Sequence, residues 1–214
     1  MEITEEMMEM ARVEQENLAY DIIREDFPPI TGTTAIGVDV AYVNDVAVAS
    51  AVSVDYGDYS TLWHETVVRK AEIPYVPGFF FLREGPILEN LLKKVKPGLP
   101  VLVDANGFLH PRRCGLASWL GVRLNIQTIG VAKTLLLGEI GERCADRADV
   151  TDEGEVIGKA VWLEGKKKPV FVSIGHRVSL ETAVRVIKEA TRRFYPEPLR
   201  AAHRECNREA KRVS

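Results

Sequence analysis

The apolar positions of this chain change their spacing several times, and each change marks an element. Ile3, Met7, Met10, Ala11, Leu18 and Ile22 recur at near-helical intervals, predicting an amphipathic helix to about Asp26, where Pro28 and Pro29 stop it. β-type patterning follows. Thr34 to Val43 is an apolar strand containing Asp39, and Asn44-Asp45 is a turn signal. Val46 to Val54 then alternates, with valines on one face and Ala47, Ala49 and Ala51 on the other. A third strand is predicted over Ser60 to Ile73. A helix is predicted over Glu84 to Val95, ended by Lys96-Pro97-Gly98, and a short buried strand over Pro100 to Asp104. Then come a helix over Gly115 to Leu120 and strands over Asn125 to Ile129, Val156 to Glu164 and Pro169 to Ile174. Leu180, Val184, Ile187, Thr191 and Phe194 mark a long helix, separated by Pro196 and Pro198 from a last helix beginning near Leu199.

Three sequential strands followed by alternating helices and strands predict an α/β fold, a mixed sheet covered by helices. A right-handed crossover sets the Pro100 strand parallel to the Thr34 strand, so Asp39 and Asp104 meet near the carboxyl ends of adjacent strands. Ligands of open α/β sheets bind there. The 214 residues suit one domain: an N-terminal helix over 1–26, a sheet-containing core over 34–174 and C-terminal helices over 179–214.

Composition narrows the setting. No apolar run approaches the roughly 20 residues that span a bilayer, and Met1 to Asp26 is too acidic for a signal peptide, so no membrane partner is expected. Three cysteines at unrelated spacings form neither a disulfide framework nor a zinc pattern, which suits the cytoplasm. A monomer is expected. A net charge of -3 disfavours non-specific coating of nucleic acid, yet the C-terminal region from Arg185 to Arg212 holds a local excess of cations. Lys166-Lys167-Lys168 reads as a solvated hairpin tip.

The stretch from Val101 to Lys133 concentrates the chemistry. An apolar run ends on Asp104, and a Gly-containing loop, His110-Pro111-Arg112-Arg113, a small-residue helix, a strand and Lys133 follow. Asp39 lies inside an apolar strand, where an unpaired charge costs several kcal/mol. Converging carboxylates repel, and a hard cation such as Mg²⁺ relieves this while keeping several waters. Glu84 is a candidate third carboxylate, and Lys133 a point charge for a phosphate. His110 and His176 each sit among small residues. Pro74-Tyr75-Val76-Pro77-Gly78 is a stiff segment that holds Tyr75 out from the sheet, fit to insert between bases. Phe79, Phe80 and Phe81 are expected to fill the core.

Together these segments resemble the endonuclease V family. The matching pieces are Gly37-Val38-Asp39, Tyr75-Val76-Pro77-Gly78, Phe81-Leu82-Arg83-Glu84-Gly85-Pro86, Asp104-Ala105-Asn106-Gly107, His110-Pro111-Arg112, Gly115-Leu116-Ala117-Ser118, Gly130-Val131-Ala132-Lys133, Ser173-Ile174-Gly175-His176-Arg177 and Pro196-Glu197-Pro198-Leu199-Arg200. The resemblance implies an RNase H-like three-layer α/β/α fold. It implies hydrolysis, with Mg²⁺ or Mn²⁺ as its substitute, of the second phosphodiester 3′ of hypoxanthine in DNA, with inosine-containing RNA as a further substrate. By position it makes Asp39 and Asp104 metal ligands, and Glu84, Lys133 and His176 catalytic partners. Tyr75 and Pro77 belong to the strand-separating wedge, Gly78, Phe80 and Ala105 line the base pocket, and His110 contacts substrate.

Two positions depart from the family pattern. Ala105 replaces a usual Gly after the acid, which strains the backbone if φ there is positive. Trp119 replaces a common His, to repack its helix or touch substrate. The rival reading is a non-catalytic module that binds modified nucleic acid; a small-molecule phosphohydrolase is a third. Gathered carboxylates argue against a pure binder, and no motif chooses between DNA and RNA.

Overall fold

The computed structural model describes residues 4–71, 73–95 and 98–213. It opens with α1 (Glu5–Tyr20) and an antiparallel meander, β1 (Thr34–Val43), β2 (Val46–Asp55) and β3 (Ser60–Lys70). Then follow α2 (Phe80–Val95), β4 (Val101–Val103), α3 (Leu116–Leu124), β5 (Thr128–Ala132), β6 (Glu139–Ile140), β7 (Arg147–Asp152), β8 (Glu155–Val161), β9 (Val170–His176), α4 (Leu180–Glu189) and α5 (Glu197–Val213). Strand order across the sheet is β3-β2-β1-β4-β5-β9-β8-β7-β6. β4 runs parallel to both β1 and β5, and the other pairings are antiparallel, so the sheet is mixed.

Alternation sends successive side chains to opposite faces. Ile36, Val38, Val101 and Val103 pack against α2 and α3, with α1 docked outside them. Leu102, Ile129 and Val131 share the opposite core with Val184 and Ile187 of α4, and α5 covers Val52 and Val54. Helices on both faces give the expected three layers. The alanine face of β2 belongs to the α2 side, where its small side chains let the helix pack closely.

Several boundaries differ from the sequence reading. α1 stops at Tyr20, not Asp26. Ile23 leaves the helix to exchange hydrogen bonds with the 176–177 segment, and the Asp26 carboxylate accepts from Ser179 N at 2.7 Å and Thr182 Oγ1 at 2.5 Å, at the start of α4. β3 ends at Lys70, short of Ile73. α2 starts four residues early and carries Pro86 on its exposed side. α3 passes Gly121 and ends on Asn125 in the left-handed region at φ 53°, so β5 starts three residues late. α4 ends before Ala190, not at Phe194. β6 and β7 were not anticipated: the two residues of β6 are exposed, and β7 mixes charge into a half-buried edge. Ile3 of the first helix and the Lys96-Pro97 stop lie outside the described residues.

Candidate active site

Asp39 owes its surroundings to a close crossing. A Cβ added at Gly37 would sit 2.1 Å from the carbonyl carbon of Pro198, so the start of α5 rests directly on β1. From Pro198 to His203 a helix advances about 7.5 Å, and from Gly37 to Asp39 a strand advances about 6.7 Å. The two side chains therefore meet, with His203 Nδ1 2.8 Å from Asp39 Oδ2. Burial pushes the Asp39 carboxyl above its ordinary value, opposed by the His203 hydrogen bond.

Asp104 comes to the same place along β4. Val38 pairs with Val103 in parallel register, so Asp39 and Asp104 are the next residues on adjacent strands. Tyr195 Oη donates to Asp104 Oδ1 at 2.7 Å, and Lys133, just past β5, reaches Oδ2 at 2.5 Å. Glu84 approaches from α2 and is 9% exposed. Burial first, then the Asp39 charge, push its carboxyl up to about 8; Arg83 opposes this and Asp104 adds to it. Three acids thus share one field.

This donor set fits a hard divalent cation. Among the described residues, no group of three or more His, Cys, Asp or Glu side chains forms a ready-made metal cage. Mg²⁺ needs none, because it binds through one or two carboxylates and keeps the rest of its shell as water.

Beside the acids is a cavity of about 230 Å³, lined by Tyr75, Gly78, Phe80, Asp104, Ala105, His110 and Lys133 among others. Its rim is the 74–79 loop. Gly78 has φ +78°, a conformation costly for other residues, and its carbonyl accepts from Arg112 Nη2 at 2.5 Å. Arg112 also donates to Gln15 Oε1 at 2.8 Å and lies 4.4 Å over the Phe79 ring. Tyr75 is 59% exposed and meets the Phe80 ring edge-on at 5.7 Å. Phe79 and Phe81 fill the core as expected, whereas Phe80 is half-buried and faces the cavity. His110 is buried, and burial followed by the Arg112 charge pulls it down to about 4.

The sequence matches the endonuclease V family over residues 16–204. The chain belongs to the endonuclease V family. It is 44% identical over 199 residues to endonuclease V of Thermofilum pendens, covering 92% of this chain and 86% of that one. It is 43% identical to that of Ignicoccus hospitalis, covering 89% of each. The crystal structure of Ciona intestinalis endonuclease V, in complex with a 24mer DNA containing an inosine followed by a ribo-adenosine, superposes with a TM-score of 0.87 at 34% identity, covering 99% of this chain and 100% of that one. Human ENDOV gives 0.84 at 31%, covering 96% and 99%. The fold is accordingly RNase H-like.

Within this endonuclease V scaffold most of the predicted residues converge. Asp39, Glu84, Asp104 and Lys133 gather at one end of the sheet, and Tyr75, Gly78, Phe80, Ala105 and His110 surround the neighbouring cavity. Pro77 is exposed on the rim loop. His176 is the exception and a correction. It pairs with Thr128, which pairs with Val101 at the opposite end of β4 from Asp104. There it is 3% exposed and its Nδ1 accepts from Ile23 N at 3.2 Å, so it ties the segment after α1 to the sheet. The strain considered for Ala105 is also absent, since its φ is not positive. Trp119 is buried over Gly85 and against Phe81, and its Nε1 donates to Glu14 Oε1 at 2.9 Å; it joins α1, α2 and α3. His203 and Tyr195 escaped the sequence reading, and Arg112 stood in it only as part of a basic cluster, with no role as the anchor of the 74–79 loop. The matching spacings Gly37 to Asp39 and Pro198 to His203 carry the signal for His203, legible only once α5 is known to cross β1.

Proposed function

We propose that this chain is a Mg²⁺-dependent endonuclease that extrudes a deaminated base, hypoxanthine above all, and hydrolyses the second phosphodiester 3′ of it, leaving 3′-hydroxyl and 5′-phosphate ends. The juxtaposition of Asp39 and Asp104 with the 230 Å³ cavity carries this reading, because it puts phosphodiester chemistry beside a place for one unstacked base. Asp39 and Asp104 would hold the cation, Mn²⁺ serving as its substitute, with Glu84 as the third carboxylate beside them. Bound there, the metal offsets charge on the phosphoryl oxygens and supplies a water of lowered pKa. His203 holds the Asp39 carboxylate in place, Tyr195 does the same for Asp104, and Lys133 turns from Asp104 to the phosphate. Tyr75, braced by Pro74 and Pro77, fills the gap left in the stack. Phe80 and Ala105 contact the base plane, and neutral His110 with the Gly78 backbone contacts its edge.

DNA is the main partner, and inosine-containing RNA a second one. The DNA in complex with the Ciona relative, with its ribo-adenosine after the inosine, supports tolerance of a 2′-hydroxyl. The chain works as a cytoplasmic monomer. Three free cysteines suit that compartment, and among the described residues no helix is long and apolar enough to cross a membrane.

The test is an end-labelled oligonucleotide with one deoxyinosine, incubated with Mg²⁺. One product ending after the nucleotide 3′ of the inosine is expected, with D39A and D104A each at least ~10³-fold slower and chelator abolishing the reaction. Cleavage indifferent to both substitutions, or full-affinity binding with no turnover in any divalent metal, would overturn the proposal; the latter favours a binding module.

A further inference from the structure

The Lys166-Lys167-Lys168 run does not behave as one solvated tip. Lys167 and Lys168 are exposed, but Lys166 is half-buried. Its backbone N–H closes a turn onto Leu163 O at 3.0 Å. Gly165, at φ +78°, lets the chain pass against Phe194, whose ring would lie 2.8 Å from a Cβ there. This turn aims Lys166 inward. Its ammonium lies 5.1 Å from the centroid of the Tyr195 ring, and that of Lys133 lies 4.9 Å from the same centroid. Tyr195 in turn donates to Asp104. Lys166 therefore stands at the acids, although its sequence position is far from every site motif.

The charges around it are unbalanced. Lys133 pairs with Asp104 at 2.5 Å, and among the described residues Lys166 has no carboxylate at ion-pair distance. Burial and then the Lys133 charge pull Lys166 below the usual lysine range, against the opposing field of Asp104. Other partly buried cations have carboxylate partners, as in Arg113 with Asp152 and Glu155, or Lys159 with Asp149. A half-buried ammonium that shares one aromatic ring with a second ammonium lacks an anion, and a backbone phosphate would supply one.

We propose that Lys166 is a second phosphate-binding residue of the active site, which with Lys133 grips the nucleic-acid backbone beside the scissile bond. The inference rests on the endonuclease reading above. Lys133 moves from Asp104 to a phosphate when substrate enters, while Lys166 gives up no protein partner and supplies affinity. The Tyr195 ring contacts both cations.

The experiment compares K166Q, K166R, K167Q and K168Q with the unsubstituted chain on the deoxyinosine oligonucleotide. Affinity is measured in chelator across a salt series, and cleavage in Mg²⁺. K166Q is expected to weaken binding about fivefold to tenfold and to flatten the slope of log affinity against log salt by about 0.7, one phosphate contact on a single strand. K167Q and K168Q should stay within about twofold of the unsubstituted chain, and K166R should recover most of the loss. A neutral methylphosphonate placed singly at each linkage near the inosine should abolish the K166Q effect at one position only. If K166Q matches K167Q in affinity and slope while the unsubstituted chain cuts normally, Lys166 is no phosphate ligand and the endonuclease reading survives. If the unsubstituted chain does not cut, that reading falls. K166Q losing thermal stability along with affinity, with no position-specific methylphosphonate effect, would make the residue structural and overturn the inference.

Discussion

Glu84 is held among the acids at a cost to stability. Its carboxyl is held up to about 8 in the folded chain, against about 4.5 when unfolded. The folded state therefore favours the protonated form. Whatever stability Glu84 contributes is full below pH 4.5 and is lost as pH rises through 8, so at pH 7 folding must reprotonate a carboxylate that is ionised in the unfolded chain, and this opposes folding. E84Q keeps the shape without the charge. In metal-free buffer at pH 7 it should raise stability by about 1–3 kcal/mol by chemical denaturation, while slowing cleavage by at least ~10²-fold. A variant that loses both would show that Glu84 is held for packing. Asp39 was readable as a site residue because a lone acid in an apolar strand demands a partner. The partner, His203, was not, because it lies 164 positions away on a helix whose docking no local pattern reveals.

At the scale of elements, the 74–79 loop depends on one side chain. Arg112 holds Gly78, Gln15 and the Phe79 ring together, and Gln15, 1% exposed, in turn donates to Cys114 O at 2.5 Å. R112A leaves Gln15 Oε1 and the Gly78 carbonyl without that donor, a loss of about 1–3 kcal/mol. Its larger effect should fall on the wedge: single-turnover cleavage of the inosine substrate about tenfold or more slower at subsaturating enzyme, recovering in part at saturation. Equal losses at both concentrations would place Arg112 in the chemical step instead. The prolines and aromatics made this loop legible, but its anchor was not, because an Arg in a basic cluster looks like surface charge. Boundaries failed for a related reason. Asn125 ends α3 through a left-handed cap, and Asp26 accepts hydrogen bonds at the start of α4; both are tertiary roles for residues that read locally as strand or helix.

Across the whole molecule, the mixed sheet and the meeting of Asp39 with Asp104 followed from strand order and crossover handedness alone. The edge strands did not, since β6 buries nothing and β7 carries charge through its exposed positions. The buried histidines set the response to acid. Burial, with the nearby arginine charges, pulls both His110 and His176 down to about 4, below the unfolded value of about 6.5. The unfolded chain then binds more protons between those values. The stability these groups confer is complete above pH 6.5 and drains away as pH falls toward 4, by about 2 kcal/mol per histidine at pH 5. Denaturant titrations at pH 7 and pH 5 should show that fall, and H176N should remove about 2 kcal/mol of it without touching the acids' end of the sheet. An unchanged fall in H176N would assign the acid response elsewhere.

The crossing of α5 over β1 at Gly37 has a consequence in time. A chain synthesised only as far as β9 already owns Asp39, Glu84, Asp104 and Lys133, yet it has neither the histidine that steadies Asp39 nor the tyrosine that steadies Asp104. The acids of the site are thus in place before the two side chains that hold them, and the cluster is complete only when α5 is laid down.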